Sequence, residues 1–237
     1  MGPDAPALDL AEGEREAAEA AGQPAFMRLQ GPNLWPAEPA VFRPAVEQMF
    51  TSMGGVCSEL MRGAALALGQ PEDVFAPYFA DADTAMKLKC CSYPTAESTA
   101  CGAEPESHGV GPHKDYGFLA VIESDVAGLQ VLDRKGEWFS VPLLEGAFVV
   151  NGGELLELAS GGAFMAATHR VAATGADVGR ARLSLCFFYN PGFNTVVQPV
   201  PTLPPQLASA ASANRAVRSA AAAAGEGRDL YGEEPRP

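Results

Sequence analysis

Leu129-Gln130-Val131-Leu132, then Asp133-Arg134-Lys135-Gly136, then Glu137-Trp138-Phe139-Ser140-Val141: two runs of strand-forming residues flank a short polar turn that ends in glycine. That pattern predicts a β-hairpin. The same rhythm, short apolar segments separated by Gly, Pro and charged turns, continues on both sides of it from residue 86 to about residue 200. It predicts strands near residues 86–92, 116–122, 128–132, 137–141, 146–151, 168–173, 181–189 and 195–199. Eight such strands packed as two sheets make a jelly roll, so the expected fold is mainly β with flanking helices.

Ahead of the sheets lies a helical region. From Phe42 the apolar positions Val46, Met49, Phe50, Met53, Cys57, Leu60, Met61, Ala64 and Leu68 recur at steps of three and four, which places them on one helical face. Pro44 suits a first turn, and Gly69 with Pro71 marks the stop. Gly54-Gly55 weakens or bends the middle, at roughly 1 kcal/mol per glycine relative to alanine. A short second helix is expected over about residues 71–79. Gly31-Pro32-Asn33-Leu34-Trp35-Pro36 reads as an irregular connection pinned by its tryptophan. Residues 1–30 are polar and rich in Ala and Glu, as in a frayed helix or disorder. Residues 205–237 begin with an Ala- and Ser-rich run and read as a low-complexity tail, helical in part and solvated.

With 237 residues, of which 47% are hydrophobic, the chain can bury a core as one large domain. No apolar run is long enough to span a bilayer and no secretory signal opens the sequence, so neither membrane nor export is expected. Five cysteines without a CxxC pair suggest neither a disulfide framework nor a thiolate zinc site, and fit a reducing compartment such as the cytoplasm. A net charge of −13 argues against nucleic acid, whose binding depends on clustered cations. The same charge means that any pocket for a dicarboxylate needs its own local cation.

Two constellations carry chemistry. One of the three histidines sits in His113-Lys114-Asp115, just ahead of the strand expected from Tyr116. In an extended segment, side chains two apart point the same way with Cα atoms about 7 Å apart, so an imidazole and a carboxylate can converge on one ion. His169 opens a later expected strand that the fold can bring alongside. Two imidazoles and one carboxylate occupy one face of an octahedral metal and leave sites open, as suits Fe(II). Zinc is the competing metal, but the HExxH helix is absent. Taken alone, the three residues also fit histidines with no ligand at all. The second constellation is Arg182-Leu183-Ser184 on an alternating strand that ends at Tyr189. There Arg182, Ser184 and Cys186 share one face, and Leu183, Leu185, Phe187 and Tyr189 the other. A guanidinium and a hydroxyl two residues apart can hold one carboxylate, although a surface ion pair gives the same pattern.

The order of these parts resembles the isopenicillin N synthase-like branch of the Fe(II)/2-oxoglutarate-dependent dioxygenases over roughly residues 30–200. The resemblance takes in Gly31–Pro36, Met86-Lys87-Leu88 leading to Tyr93-Pro94, and His113-Lys114-Asp115-Tyr116-Gly117-Phe118-Leu119. It continues through Gly128-Leu129-Gln130-Val131, Gly136-Glu137-Trp138, Val149-Val150-Asn151, His169-Arg170-Val171, Arg182-Leu183-Ser184 and Phe187-Phe188-Tyr189-Asn190-Pro191. It implies a double-stranded β-helix and a dioxygenase domain over residues 31–204, helical at 41–80 and jelly roll at 86–200. Its implied iron ligands are His113, Asp115 and His169. Arg182 and Ser184 would bind the far carboxylate of 2-oxoglutarate, with Tyr93 beside it, although Cys91 stands where the family often has Asn. Fe(II), 2-oxoglutarate as co-substrate, molecular oxygen, a small-molecule substrate and ascorbate as accessory reductant follow from the same resemblance. His108 gains no role and is expected to be exposed. Asn151-Gly152-Gly153-Glu154 departs from the family's usual Asn-Ile-Gly-Asp, with consequences expected for packing. The family carries a longer region ahead of Gly31, so either a truncated version of the family's N-terminal cover or an unusually open pocket is expected. A 2-oxoglutarate-independent iron oxidase and a non-catalytic metal-binding or interaction module remain the alternatives.

Overall fold

The amphipathic run after Trp35 forms one helix, α1 (Phe42–Ala67), in the computed structural model, which describes residues 33–80, 84–93, 109–172, 181–227 and 229–231. Met53, Cys57, Met61 and Ala65 are its buried residues, one per turn. Gly54 and Gly55 lie within the unbroken helix, because the packed face holds it across the weak point. Leu60, expected on that face, is exposed. The short helix expected at 71–79 is a 3-10 turn, Ala76–Phe79.

Eight strands follow: β1 (Lys87–Tyr93), β2 (Val110–His113), β3 (Leu119–Ser124), β4 (Leu129–Leu132), β5 (Trp138–Ser140), β6 (Val149–Gly152), β7 (His169–Val171) and β8 (Arg182–Tyr189). They form two four-stranded sheets in the orders β1-β8-β3-β6 and β2-β7-β4-β5, with antiparallel neighbours throughout. This is the jelly roll that the hairpin rhythm predicts. The hairpin itself pairs Val131 with Phe139 and Leu132 with Trp138. Asp133 closes its turn, accepting the backbone N–H of Lys135 and of Glu137 on Oδ1, each at 2.8 Å.

The core lies between α1 and one face of the first sheet. Leu88, Val121, Phe187 and Tyr189 point there, and Phe187 meets Phe50 of α1 edge-on at 5.0 Å between centroids. The opposite face of β8 carries Arg182, Ser184, Cys186 and Phe188 into a cavity between the sheets. The alternation of β8 therefore divides core from cavity.

Further expectations are corrected, and strand β2 and one helix lie outside them. No strand forms at 195–199: the Tyr78 hydroxyl takes the place of a strand partner there, accepting from Gln198 N and donating to Gln198 O, both at 3.1 Å. The strand expected from Tyr116 starts at Leu119, because the carbonyls of Asp115, Tyr116 and Gly117 accept from Glu154 and Leu155 instead of from a sheet neighbour. Those donors belong to a helix that the strand reading missed, α2 (Glu154–Ala159). The Ala-rich segment folds as α3 (Pro205–Ala223), and it is docked rather than solvated, with Ala211, Asn214 and Arg218 buried. Residues 1–32 and His108 lie outside the described residues.

Candidate metal centre

β2 and β7 are neighbours in the second sheet, and their register sets His113 opposite His169. Asp115 follows two residues after the end of β2. The three side chains converge: His113 Nε2 lies 3.7 Å from Asp115 Oδ1, His169 Nε2 lies 3.7 Å from Asp115 Oδ2, and one ligand atom from each falls within 4.8 Å of the others. The imidazole centroids are 4.3 Å apart.

The proton positions follow from the acceptors. His113 Nδ1 lies 2.9 Å from Gly111 O, and His169 Nδ1 lies 3.1 Å from Ala167 O. A carbonyl only accepts, so each Nδ1 carries a hydrogen and Nε2 is the ring nitrogen left to bind an ion at the shared point. Asn151 Nδ2 donates to Asp115 Oδ2 at 2.7 Å and steadies the carboxylate. Two imidazoles and a carboxylate, each oriented by an outer partner, are a donor set for a divalent metal. No fourth His, Cys, Asp or Glu joins them among the described residues, as an open rather than a closed site requires.

Further along the same cavity, which is open to solvent, stand Arg182, Ser184 and Tyr93. Arg182 is 2% exposed; its Nε donates to Val126 O at 3.0 Å, and its NH1 has no hydrogen-bond partner among the described residues. A buried guanidinium with an idle donor demands an anion. Ser184 is also buried, two residues along the same face. Tyr93 pairs with Arg182 across β1 and β8, and the guanidinium lies 5.0 Å from its ring centroid. Burial, followed by the neighbouring Cys91, pushes the Tyr93 hydroxyl up, against the pull of Ser184 and Arg182, so it remains a donor at neutral pH. Burial likewise raises the Cys186 thiol on the same wall.

All six residues expected from the sequence thus line one cavity. Sequence reading missed Asn151 as a partner of Asp115 and assigned its segment to packing. No local pattern announces that contact, which arises because β3 and β6 pair Ala120 with Asn151.

Residues 85–191 match the model of the 2OG-Fe(II) oxygenase superfamily, a span that holds all six. Over 177 residues the chain is 32% identical to a homoarginine-6-hydroxylase of Glycine max, covering 73% of this chain and 52% of that protein. Isopenicillin N synthase of Streptomyces jumonjinensis is 35% identical over 173 residues, covering 70% of this chain and 51% of its own length. Among solved structures, a full-length Neurospora crassa protein in complex with alpha-KG superposes with a TM-score of 0.64 at 26% identity, covering 75% of this chain and 56% of that one. The chain spans about half the length of the curated relatives it matches.

Proposed function

Since the chain belongs to the 2OG-Fe(II) oxygenase superfamily, we propose that it is a non-haem iron oxidoreductase coupling 2-oxoglutarate decarboxylation to hydroxylation or desaturation of a small organic substrate. His113 and His169, through Nε2, and Asp115 would hold Fe(II). When bound, that ion supplies the redox chemistry by which oxygen is used and 2-oxoglutarate is broken down to succinate and carbon dioxide.

The protein supplies orientation. Gly111 O and Ala167 O fix the two ring tautomers, and Asn151 fixes the carboxylate. Arg182 and Ser184 bind the far carboxylate of 2-oxoglutarate, and the Tyr93 ring backs the guanidinium. Ile122, Leu129 and Phe188 line the cavity and limit water around the reacting groups. One observation carries the reading: a buried cation with an unused donor shares a cavity with a histidine-aspartate-histidine cluster. Among the described residues no helix is long and apolar enough to cross a membrane. Cys57, Cys90, Cys91 and Cys186 are free thiols, which supports a cytoplasmic setting for the enzyme.

The test is an anaerobic titration with Fe(II) and then 2-oxoglutarate, following the visible charge-transfer band of chelated iron. The wild type is expected to develop the band, His113→Ala to lack it, and Arg182→Ala to need far more 2-oxoglutarate. A folded wild type that binds iron and never responds to 2-oxoglutarate would favour an oxidase that does not use it, or a non-catalytic module.

A further inference from the structure

We propose that Arg218, on the C-terminal helix α3, is a positioning residue for the metal centre. It holds the two glutamates of α2 that fix the backbone carrying Asp115 and His169. The proposal rests on the metal site described above and concerns residues that do not touch it.

α2 is tied to the Asp115 segment through its first turn. Glu154 N donates to Asp115 O at 2.8 Å, Leu155 N to Tyr116 O at 3.0 Å, and the preceding Gly153 N to Phe118 O at 3.0 Å. The approach is so close that a Cβ on Gly153 would collide with Gly117 O and stand 2.9 Å from Asp115 O. The depth and tilt of α2 therefore set the backbone from which Asp115 projects. The same helix reaches the second ligand by another route. Glu157 Oε2 accepts from Ala166 N at 2.9 Å, and the carbonyl of the following residue, Ala167 O, takes the Nδ1 hydrogen of His169.

Both glutamates face the Arg218 guanidinium, and the half-buried Lys114 ammonium attracts them as well. Arg218 NH2 makes an ion pair with Glu154 Oε1, and its Nε lies 3.9 Å from Glu157 Oε1. Arg218 is 4% exposed and Glu157 is 1% exposed, so water screens neither. Two carboxylates three residues apart on a short helix, one of them fully buried, repel each other more once the guanidinium between them is lost, and Lys114 offsets part of that repulsion. α3 is pinned where it supplies that guanidinium. Asn214 Nδ2 donates to Gly162 O at 2.8 Å, and a Cβ on Gly162 would stand 2.9 Å from Arg215 Cγ. His113, held by Gly111 O on β2, has no part in this chain of contacts. Arg218 thus controls two of the three ligands, and its removal is expected to weaken and distort metal binding rather than abolish it.

The test uses the full chain and Co(II) alone, without 2-oxoglutarate, reading affinity and the visible d–d spectrum beside a thermal melt. Loss of an outer partner of a metal ligand typically costs about 10–100-fold in metal affinity, and Arg218→Ala is expected in that range with an altered spectrum. Arg218→Lys keeps the charge without the fork and is expected to lie between, about threefold to tenfold weaker than wild type. Leu207→Ala is the comparison. Leu207 packs on the core from the same helix, about three turns before Arg218, so its loss should lower the melting temperature and leave Co(II) affinity and spectrum unchanged. If Arg218→Ala does not fold, Arg218→Lys carries the test. Wild-type affinity and spectrum in the folded Arg218 variants would overturn the positioning role, as would an equal loss of affinity in Leu207→Ala. A wild type that binds no Co(II) would overturn the metal centre and this role together, whereas wild-type binding with indifferent Arg218 variants overturns this role alone.

Discussion

Replacing Arg182 by Met should make the ligand-free protein more stable and the 2-oxoglutarate complex much weaker. In the free protein the guanidinium is 2% exposed, spends Nε on Val126 O and leaves NH1 without a partner among the described residues. Substituting buried charges with apolar side chains of similar volume is often neutral, or stabilising by about 1–4 kcal/mol. Subtracting about 1 kcal/mol for the lost Val126 hydrogen bond leaves a net gain of about 1 kcal/mol, or a rise of about 2–4 °C in a chain of this size. Binding should move the other way. A charge-assisted hydrogen bond contributes about 1.5–3 kcal/mol, and truncating one partner of a buried charge pair costs about 2–5 kcal/mol. A loss of about 3 kcal/mol corresponds to roughly a hundredfold weaker 2-oxoglutarate binding. Calorimetric melts of the Co(II)-loaded proteins should therefore cross over. Without 2-oxoglutarate Arg182→Met melts higher; with co-substrate at a hundred times the wild-type dissociation constant, the wild type gains about 2.7 kcal/mol and overtakes it. A variant that binds 2-oxoglutarate within threefold of wild type, or melts lower without it, would refute the reasoning.

Asn151→Ala removes the 2.7 Å hydrogen bond to Asp115 Oδ2 and should weaken Co(II) binding about tenfold with little change in fold; an unchanged titration would show that the carboxylate needs no such support. Phe187→Ala empties the contact between β8 and Phe50 of α1 and should cost about 3–5 kcal/mol in urea unfolding, whereas a cost below about 1 kcal/mol would mean that α1 is not packed there. Burial pushes the Cys57 thiol up to about 12, so the unfolded chain sheds this proton at lower pH than the folded one. Its contribution to stability is complete below the ordinary thiol range, then is lost at up to about 1.4 kcal/mol per pH unit as pH rises toward 12. Cys57→Ala should flatten that alkaline limb in equilibrium unfolding between pH 9 and 11, and an identical slope would contradict the assignment.

Much of this fold is legible because local patterns and tertiary structure agree. β8 alternates in sequence, and the alternation survives as core on one side and cavity on the other. The hairpin turn carries its own closure in Asp133. β2 is invisible to the same reasoning, since Val110-Gly111-Pro112-His113 has no alternating apolar face and contains a proline. It forms because β7 offers an edge, with the irregular register that its sequence would suggest. The expected strand at 195–199 fails for the opposite reason. Its apolar content suits a strand, but the Tyr78 hydroxyl satisfies the backbone at Gln198 without a sheet neighbour.

The candidate ligands and their supports differ in the same way. His113, Asp115, His169, Arg182 and Ser184 stand out in the sequence through the order of motifs they share with a known family, since residue type and spacing alone also fit unliganded histidines and a surface ion pair. What orients them leaves no such trace. Gly111 and Ala167 act through carbonyl oxygens that any residue possesses, and Asn151 through a register set by two strands. α3 hides its role most completely. Its buried positions are Ala211, Asn214 and Arg218, so a search for an apolar stripe finds a weakly amphipathic alanine helix and predicts a solvated tail. The arginine on it becomes informative only when Glu154 and Glu157 are seen behind the metal site, some sixty residues earlier in the chain. Burying charge is costly, and here the cost falls on the helix whose first turn donates to the backbone at Asp115.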